Sequence, residues 1–441
     1  MAGPSPPPAA GASGPFVSVP LALAPWAWQR AQDLLVPAAD LASAVHQVTG
    51  LPALPAAVEL LDSLPWQRDP ESLHLPDRQQ AAGLLALQPV LQQPGSEQHR
   101  ELVRQRADRL RQQLVGETVT YVVNRNINVS NHCIKHCSFC AFRRDPGRPG
   151  AFWLSREQLQ HKAHQAQQRG ATELCVQGGL NPAAALQGSH LAYAEAVLQD
   201  LLDAAPGIHL HAFSPQELLY LAECDDLPLA VVVQRLRQAG LGSVPGTAAE
   251  VLSEPLRQVL CPEKLSARQW VAVMLEVQAQ GLPATSTLMA GHIESAADQA
   301  AHLLTLLQLQ RHAREQGQQG FTEFVLLPFV GQQAPAALRQ RVGRDQPDLQ
   351  AMLLLTAMAR LLLGPWIRHH QPSWVKLGLA GASEALRWGA DDLGGTLMEE
   401  HITTMAGANG GTNQDPEALE AAAARCGRPV RRRTTTYGVL P

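Results

Sequence analysis

Three cysteines crowd into one short stretch, Cys133-Ile134-Lys135-His136-Cys137-Ser138-Phe139-Cys140. The CxxxCxxC spacing puts three soft thiolate ligands in a single loop, and such ligands suit iron–sulfur clusters and zinc. A four-iron cube normally takes four cysteines. Three, with no fourth close by, leave one iron open, and an open iron is a reaction site rather than a wire. Zinc is the competing reading: His136 would complete a Cys3His set, although zinc ligands usually come as two separated pairs and no second CxxC or HxxxH follows. A disulfide is disfavoured, because no signal peptide precedes the loop and the chain reads as cytoplasmic. Cys175, Cys224, Cys261 and Cys426 are scattered and read as single buried thiols.

Other residues able to do chemistry sit near the ends of extended segments. Gln177-Gly178-Gly179 offers backbone freedom for the close approach of a ligand, against the plainer reading of an ordinary turn. In His209-Leu210-His211 the two imidazoles point to opposite faces of a strand, and His211, near the strand's C-terminal end, is a candidate polar contact or a core histidine. Residues 242–250 form a Gly-rich loop that runs into a capping pattern, Thr247-Ala248-Ala249-Glu250. A helix N-terminus there would hold a carboxylate or phosphate; its plain reading is loop-to-helix chemistry. The run Arg431-Arg432-Arg433 reads as a solvated tail, with phosphate binding as a weaker alternative.

The elements that must position these groups follow from periodicity. Residues 1–19 are rich in Pro, Ala and Gly, with little to bury, and are expected to be disordered. Residues 20–115 show helical spacing cut by prolines and read as a helical extension without chemistry of its own. The β-branched stretch 119–127 is a strand leading straight into the cysteine loop. Strands then alternate with capped helices. Residues 173–177, 208–213, 285–289 and 321–329 read as strands, and Ser155, Ser214 and Ser266 open helices with Gln or Glu three residues on. Such repetition argues for a parallel sheet closed into a TIM-type (β/α) barrel, whose chemistry sits at the C-terminal ends of the strands. The expected divisions are a barrel core over 116–345 and a C-terminal α/β addition over 346–441 that completes the barrel and the substrate site. The 441-residue chain has a formal net charge of −4, which implies no general pull on nucleic acid, and no apolar run is long enough to span a membrane.

The cysteine loop, with Phe139 before its last cysteine, resembles the radical S-adenosylmethionine (radical SAM) superfamily. Asn124 to Asn128, His211-Ala212-Phe213-Ser214-Pro215, residues 242–250, Gly291-His292-Ile293-Glu294, Phe321-Thr322-Glu323-Phe324 and residues 391–400 fall in the order of one group within it. That group holds the FO synthase subunits, the futalosine enzymes of menaquinone synthesis and 2-iminoacetate synthase. The run Asp392 to Glu400 is most similar to the FO synthase subunit 2 family, over roughly residues 100–440. The resemblance implies a [4Fe-4S] cluster on Cys133, Cys137 and Cys140, with SAM on the open iron and cofactor contacts from Phe139, Gln177, Gly178 and Gly179. The acidic residue usual after the glycines is absent; Leu180 stands there. It further implies radical cleavage of L-tyrosine and addition of its 4-hydroxybenzyl group to 5-amino-6-(D-ribitylamino)uracil. The implied partners are FO synthase subunit 1 in the pathway and a one-electron donor protein, with no nucleic acid and no membrane. Aminofutalosine synthase is the sibling alternative.

Overall fold

The computed structural model describes residues 20–440 apart from Thr49, so the tail expected to be disordered lies outside the described residues. Among the described residues ten strands are formed: β1 Val119–Val122, β2 Asn124–Asn128, β3 Glu173–Gln177, β4 His209–Ala212, β5 Leu241–Ser243, β6 Ala284–Ala290, β7 Phe321–Pro328, β8 His369–Pro372, β9 Asp392–Gly395 and β10 Val430–Arg432. β1 and β2 are two halves of one strand, bent at Val123. All ladders are parallel, in the runs β2-β3-β4-β5, β6-β7-β8 and β10-β1-β9. Val244 N–H donates to Pro283 O and Thr285 N–H to Val244 O, joining β5 to β6, while Asp391 N–H donates to His370 O and joins β8 to β9. With β9 paired to β1, the ring closes as a TIM-type barrel.

Two seams of the ring depend on glycine. Gly246 packs against β6 so closely that a Cβ there would lie 2.0 Å from Thr285 O. Gly395 does the same against Asn124, whose Oδ1 would be 2.0 Å from a Cβ and instead accepts from Leu397 N–H at 2.8 Å.

Around the barrel, Ser155, Ser214 and Ser266 cap their helices reciprocally with Gln158, Glu217 and Gln269, as the spacing predicts. Thr247 to Glu250 does not: this segment is a loop, with Ala248 and Glu250 in left-handed conformation. The reason lies eight and nine residues further on. The buried Arg257 guanidinium donates to the carbonyls of Ala248, Ala249 and Leu265, and so holds the chain as a loop that no helix could supply with acceptors.

The helices before β1 lie on the outside of the barrel. The Arg268 guanidinium stacks 3.9 Å from the Trp28 ring, Ala24 N–H donates to Glu276, and Trp66 Nε1 donates to Leu361 O at 2.6 Å. These contacts seat the extension on the barrel helices Ala267–Ala279 and Leu349–Leu363.

The arginine run is not a solvated tail. β10 adds to the barrel at β1, and Arg433, 2% exposed, turns inward to bond both Asp392 oxygens, at 2.5 and 2.9 Å. Tyr437 stacks on His369 and donates to Glu323. The C-terminal segment thus plugs the floor of the barrel, where buried carboxylates supply the counter-charge that water would otherwise give. Only Arg431 and Arg432 remain exposed.

Candidate active site

The C-terminal ends of the strands enclose a cavity of about 400 Å³. Its wall includes Cys133, Cys137, Phe139 and Cys140 of the cysteine loop, and Gln177, Gly178 and Gly179 from the end of β3. The loop is held by bonds within it and to a distant segment: Lys135 N–H donates to Cys133 Sγ, Arg143 Nε donates to Cys133 O at 3.0 Å, and the Ser138 N–H and hydroxyl both donate to Leu260 O. His136 does not line the cavity; it faces outward and contacts Glu263 at 3.2 Å, which removes the fourth donor that the zinc reading needed.

Gly178 and Gly179 are both committed through their N–H groups. Gly178 donates to Glu217 Oε1 at 3.0 Å and Gly179 to Ser130 O at 2.7 Å. A ligand ammonium would therefore meet their carbonyls. The close approach at Gly179 comes from the protein itself: a Cβ there would lie 2.1 Å from His132 O and 2.9 Å from Cys133 Cβ. Glycine at this position lets the cysteine loop sit against the end of β3.

His211 lies away from this wall. It is 7% exposed inside the barrel and shares a 2.7 Å hydrogen bond with Ser243. Burial, partly opposed by Glu173, pulls its imidazole down to about 4, so it is a neutral core histidine at pH 7. Of the two readings of His211, this burial favours the core histidine. Cys224 is exposed, against the expectation for it, and Cys175 is a wall residue of the cavity whose Sγ accepts from Gln177 Nε2.

Several wall residues escaped the sequence reading. Asn126 and Asn128, two apart on β2, present the same face, and each has a buried Oδ1 without a partner among the described residues. Alternation on β2 was the signal that would have found them. Lys264 pairs with Glu250 at 2.6 Å and lies over the Phe139 ring. Burial works against its ammonium, but Glu250 and the sulfurs of Cys137 and Cys261 outweigh it, so the lysine stays charged. Burial raises the Cys137 thiol to about 12, with Lys264 opposing. A thiol in such a place ionises when a metal supplies positive charge, so the donor set fits a cluster with a nearby lysine as an additional cation. Lys135, Arg143, Glu217, Lys376 and Glu400 make up the rest of the charged wall.

Comparison with known proteins agrees with this geometry. Residues 127–306 match the radical SAM superfamily and residues 318–441 match the CofH/MqnC C-terminal region. Among solved structures, methylornithine synthase (TM-score 0.62, 16% identity, 85% of this chain and 97% of the other) shares the fold. So does the FeFe-hydrogenase maturase HydG from Carboxydothermus hydrogenoformans (TM-score 0.65, 14% identity, 93% and 86%). A parallel barrel with three thiols of one loop on its open end is therefore a radical SAM enzyme, and membership of that superfamily implies a [4Fe-4S] cluster and SAM. The chain is 57% identical over 340 residues to the 5-amino-6-(D-ribitylamino)uracil–L-tyrosine 4-hydroxyphenyl transferase of Cyanothece sp., covering 77% of this chain and 89% of that protein. It is 52% identical over 368 residues to the protein of the same name from Synechocystis sp., covering 83% and 93%. The chain belongs to this family of 4-hydroxyphenyl transferases. No helix among the described residues is long and apolar enough to cross a membrane.

Proposed function

We propose that this enzyme cleaves L-tyrosine and adds its 4-hydroxybenzyl group to 5-amino-6-(D-ribitylamino)uracil, releasing 2-iminoacetate, methionine and 5′-deoxyadenosine, in the synthesis of the deazaflavin FO. The observation that carries the reading is the meeting of the three thiols and the carboxamides of Asn126 and Asn128 on one cavity wall, in a chain this similar to the named relatives. Cys133, Cys137 and Cys140 are the residues to hold the cluster, and Phe139, Gln177, Gly178 and Gly179 to contact SAM. When bound, the pair supplies a 5′-deoxyadenosyl radical that takes hydrogen from a substrate.

The remaining tasks fall to the chain itself. A carbon radical attacks any nearby C–H bond, so the substrate must be held in contact and water kept out. The cavity does this with apolar walls from Phe142, Met289, Val325, Leu327 and Leu393. Asn126 and Asn128 carry donors and acceptors suited to the uracil edge. FO synthase subunit 1 is the proposed pathway partner, and a one-electron donor protein the proposed source of reducing power.

Anaerobic incubation of reconstituted protein with SAM, reductant, tyrosine and the ribitylaminouracil, followed by mass spectrometry, tests the reading. A hydroxybenzyl adduct that needs both substrates supports it. Consumption of an enolpyruvyl-benzoate substrate with tyrosine ignored would identify the futalosine sibling instead.

A further inference from the structure

The part of the wall built by β8 and β9 carries two charged groups that the protein leaves uncommitted. Lys376 follows β8 at the start of the helix Trp374–Ala385, and its ammonium makes no ion pair or hydrogen bond among the described residues, although it faces the cavity. Glu400 follows β9 and is 5% exposed. One of its oxygens accepts from Thr403 N–H, while the other, Oε2, is buried without a partner. The two do not pair with each other. Of the other charged wall groups, Glu217 accepts from Ser214 and Gly178, Glu250 is bonded to Lys264, Arg143 is bonded to Asp145, and Lys135 belongs to the cysteine loop.

We propose that Lys376 and Glu400 receive the zwitterionic head of an α-amino acid, Lys376 taking the carboxylate and Glu400 the ammonium. The proposal rests on the tyrosine reading above and assigns its binding residues. A cation and a carboxylate facing one cavity match a ligand that is neutral overall but carries both charges. A ligand with a single charge leaves one buried group unsatisfied and is disfavoured for that reason. Burial holds Lys376 below the usual lysine range and Glu400 above the usual carboxylate range, and each strain is relieved when the opposite charge arrives.

Both residues are held by their neighbours. Glu399, in left-handed conformation, ion-pairs outward with Arg125 at 2.7 Å and Lys162 at 2.5 Å, which anchors the chain beside Glu400. Trp374 Nε1 donates to Gly395 O, and Gly410 N–H donates to Val375 O at 3.0 Å, so the turn that carries Lys376 is tied to both β9 and the loop beyond it. A Cβ at Gly410 would lie 2.2 Å from Trp374 O, so this contact requires glycine.

The test measures equilibrium binding to anaerobically reconstituted protein with SAM present and reductant absent, so that nothing turns over. The probes are L-tyrosine, tyramine, which lacks the carboxylate, and 3-(4-hydroxyphenyl)propionate, which lacks the ammonium. The unaltered protein should prefer tyrosine to either analogue by about tenfold or more, the range for a charged hydrogen bond. Lys376→Met should bring tyrosine down to the tyramine level and leave tyramine within about twofold. Glu400→Gln should do the same relative to the propionate. SAM affinity should not change in either variant.

A variant that keeps its preference over the matched analogue, or loses SAM affinity instead, overturns the assignment. Absence of tyrosine binding to the unaltered protein would overturn the tyrosine reading itself, and the assignment with it. Should Lys376→Met not fold, the unaltered protein still decides: tyrosine but not tyramine should shield Lys376 from an amine-acylating reagent, read by peptide mass spectrometry. Equal labelling with and without tyrosine refutes the proposal.

Discussion

Replacing Gly179 by alanine probes how the cysteine loop is held. The new Cβ would lie 2.1 Å from His132 O, 2.7 Å from His132 C and 2.9 Å from Cys133 Cβ. All three atoms belong to the loop or its entry, and two are backbone, which cannot swing aside as a long side chain does. Gly179 is not among the residues with positive φ, so alanine raises no backbone objection and the whole effect is steric. Overpacking of this kind costs about 1–3 kcal/mol. Applied to the closed state of the loop, that raises the population of open loops by about 5- to 150-fold. The assay is the rate at which a chelator strips iron from the reconstituted protein, which should rise in that range while the melting of the barrel changes little. Gly178→Ala is the control. Its nearest contact would be Ser130 O at 3.3 Å, which a small shift can relieve, so iron release should stay close to that of the unaltered protein. If Gly179→Ala takes up iron fully and releases it at the unaltered rate, the close-approach reasoning is wrong.

Other outcomes follow from the same structure. Alanine at Cys133, Cys137 or Cys140 should each abolish both four-iron cluster content and SAM cleavage, read by metal analysis and deoxyadenosine formation; stoichiometric zinc in place of iron would refute the cluster assignment. Arg433→Met leaves Asp392 and Glu323 buried without their counter-charge and should lower stability by about 3–5 kcal/mol in denaturant titrations. Glu294 is buried, which raises its carboxyl, but bonds from His292 and the Gly291 N–H outweigh this and hold it at about 2. Its folded-state value is thus below the unfolded one, so its contribution is present above about pH 4.5 and is lost as the pH falls toward 2, on the order of 3 kcal/mol in all. The stability difference between the unaltered protein and Glu294→Gln should shrink over that window. His211→Ala removes a buried hydrogen bond to Ser243 Oγ, which keeps its bond to His209, and should cost about 0.5–1.5 kcal/mol of stability, with the KM for tyrosine unchanged.

What the sequence determined by itself is local. Cysteine spacing is set by a few adjacent residues, and so are the capping pairs at Ser155, Ser214 and Ser266. Strands rich in aromatic and aliphatic residues, such as β7, announce themselves by composition. The repetition of strand and helix was enough to imply a barrel. Other features depend on partners elsewhere in the chain. β8 and β9, His369–Pro372 and Asp392–Gly395, are short and polar and are strands only because β7 and β1 offer them ladders. Thr247 to Glu250 carries a helix-start pattern, yet the buried Arg257 claims its carbonyls. His211 and Arg433 took their roles from depth: one lies inside the barrel, and the other meets two carboxylates on its floor. Lys376 carries no motif and Glu400 merely ends the Asp392 to Glu400 run, and only closure of the ring places both on one cavity wall, because a lone charge has no meaning until the fold decides which other charges surround it.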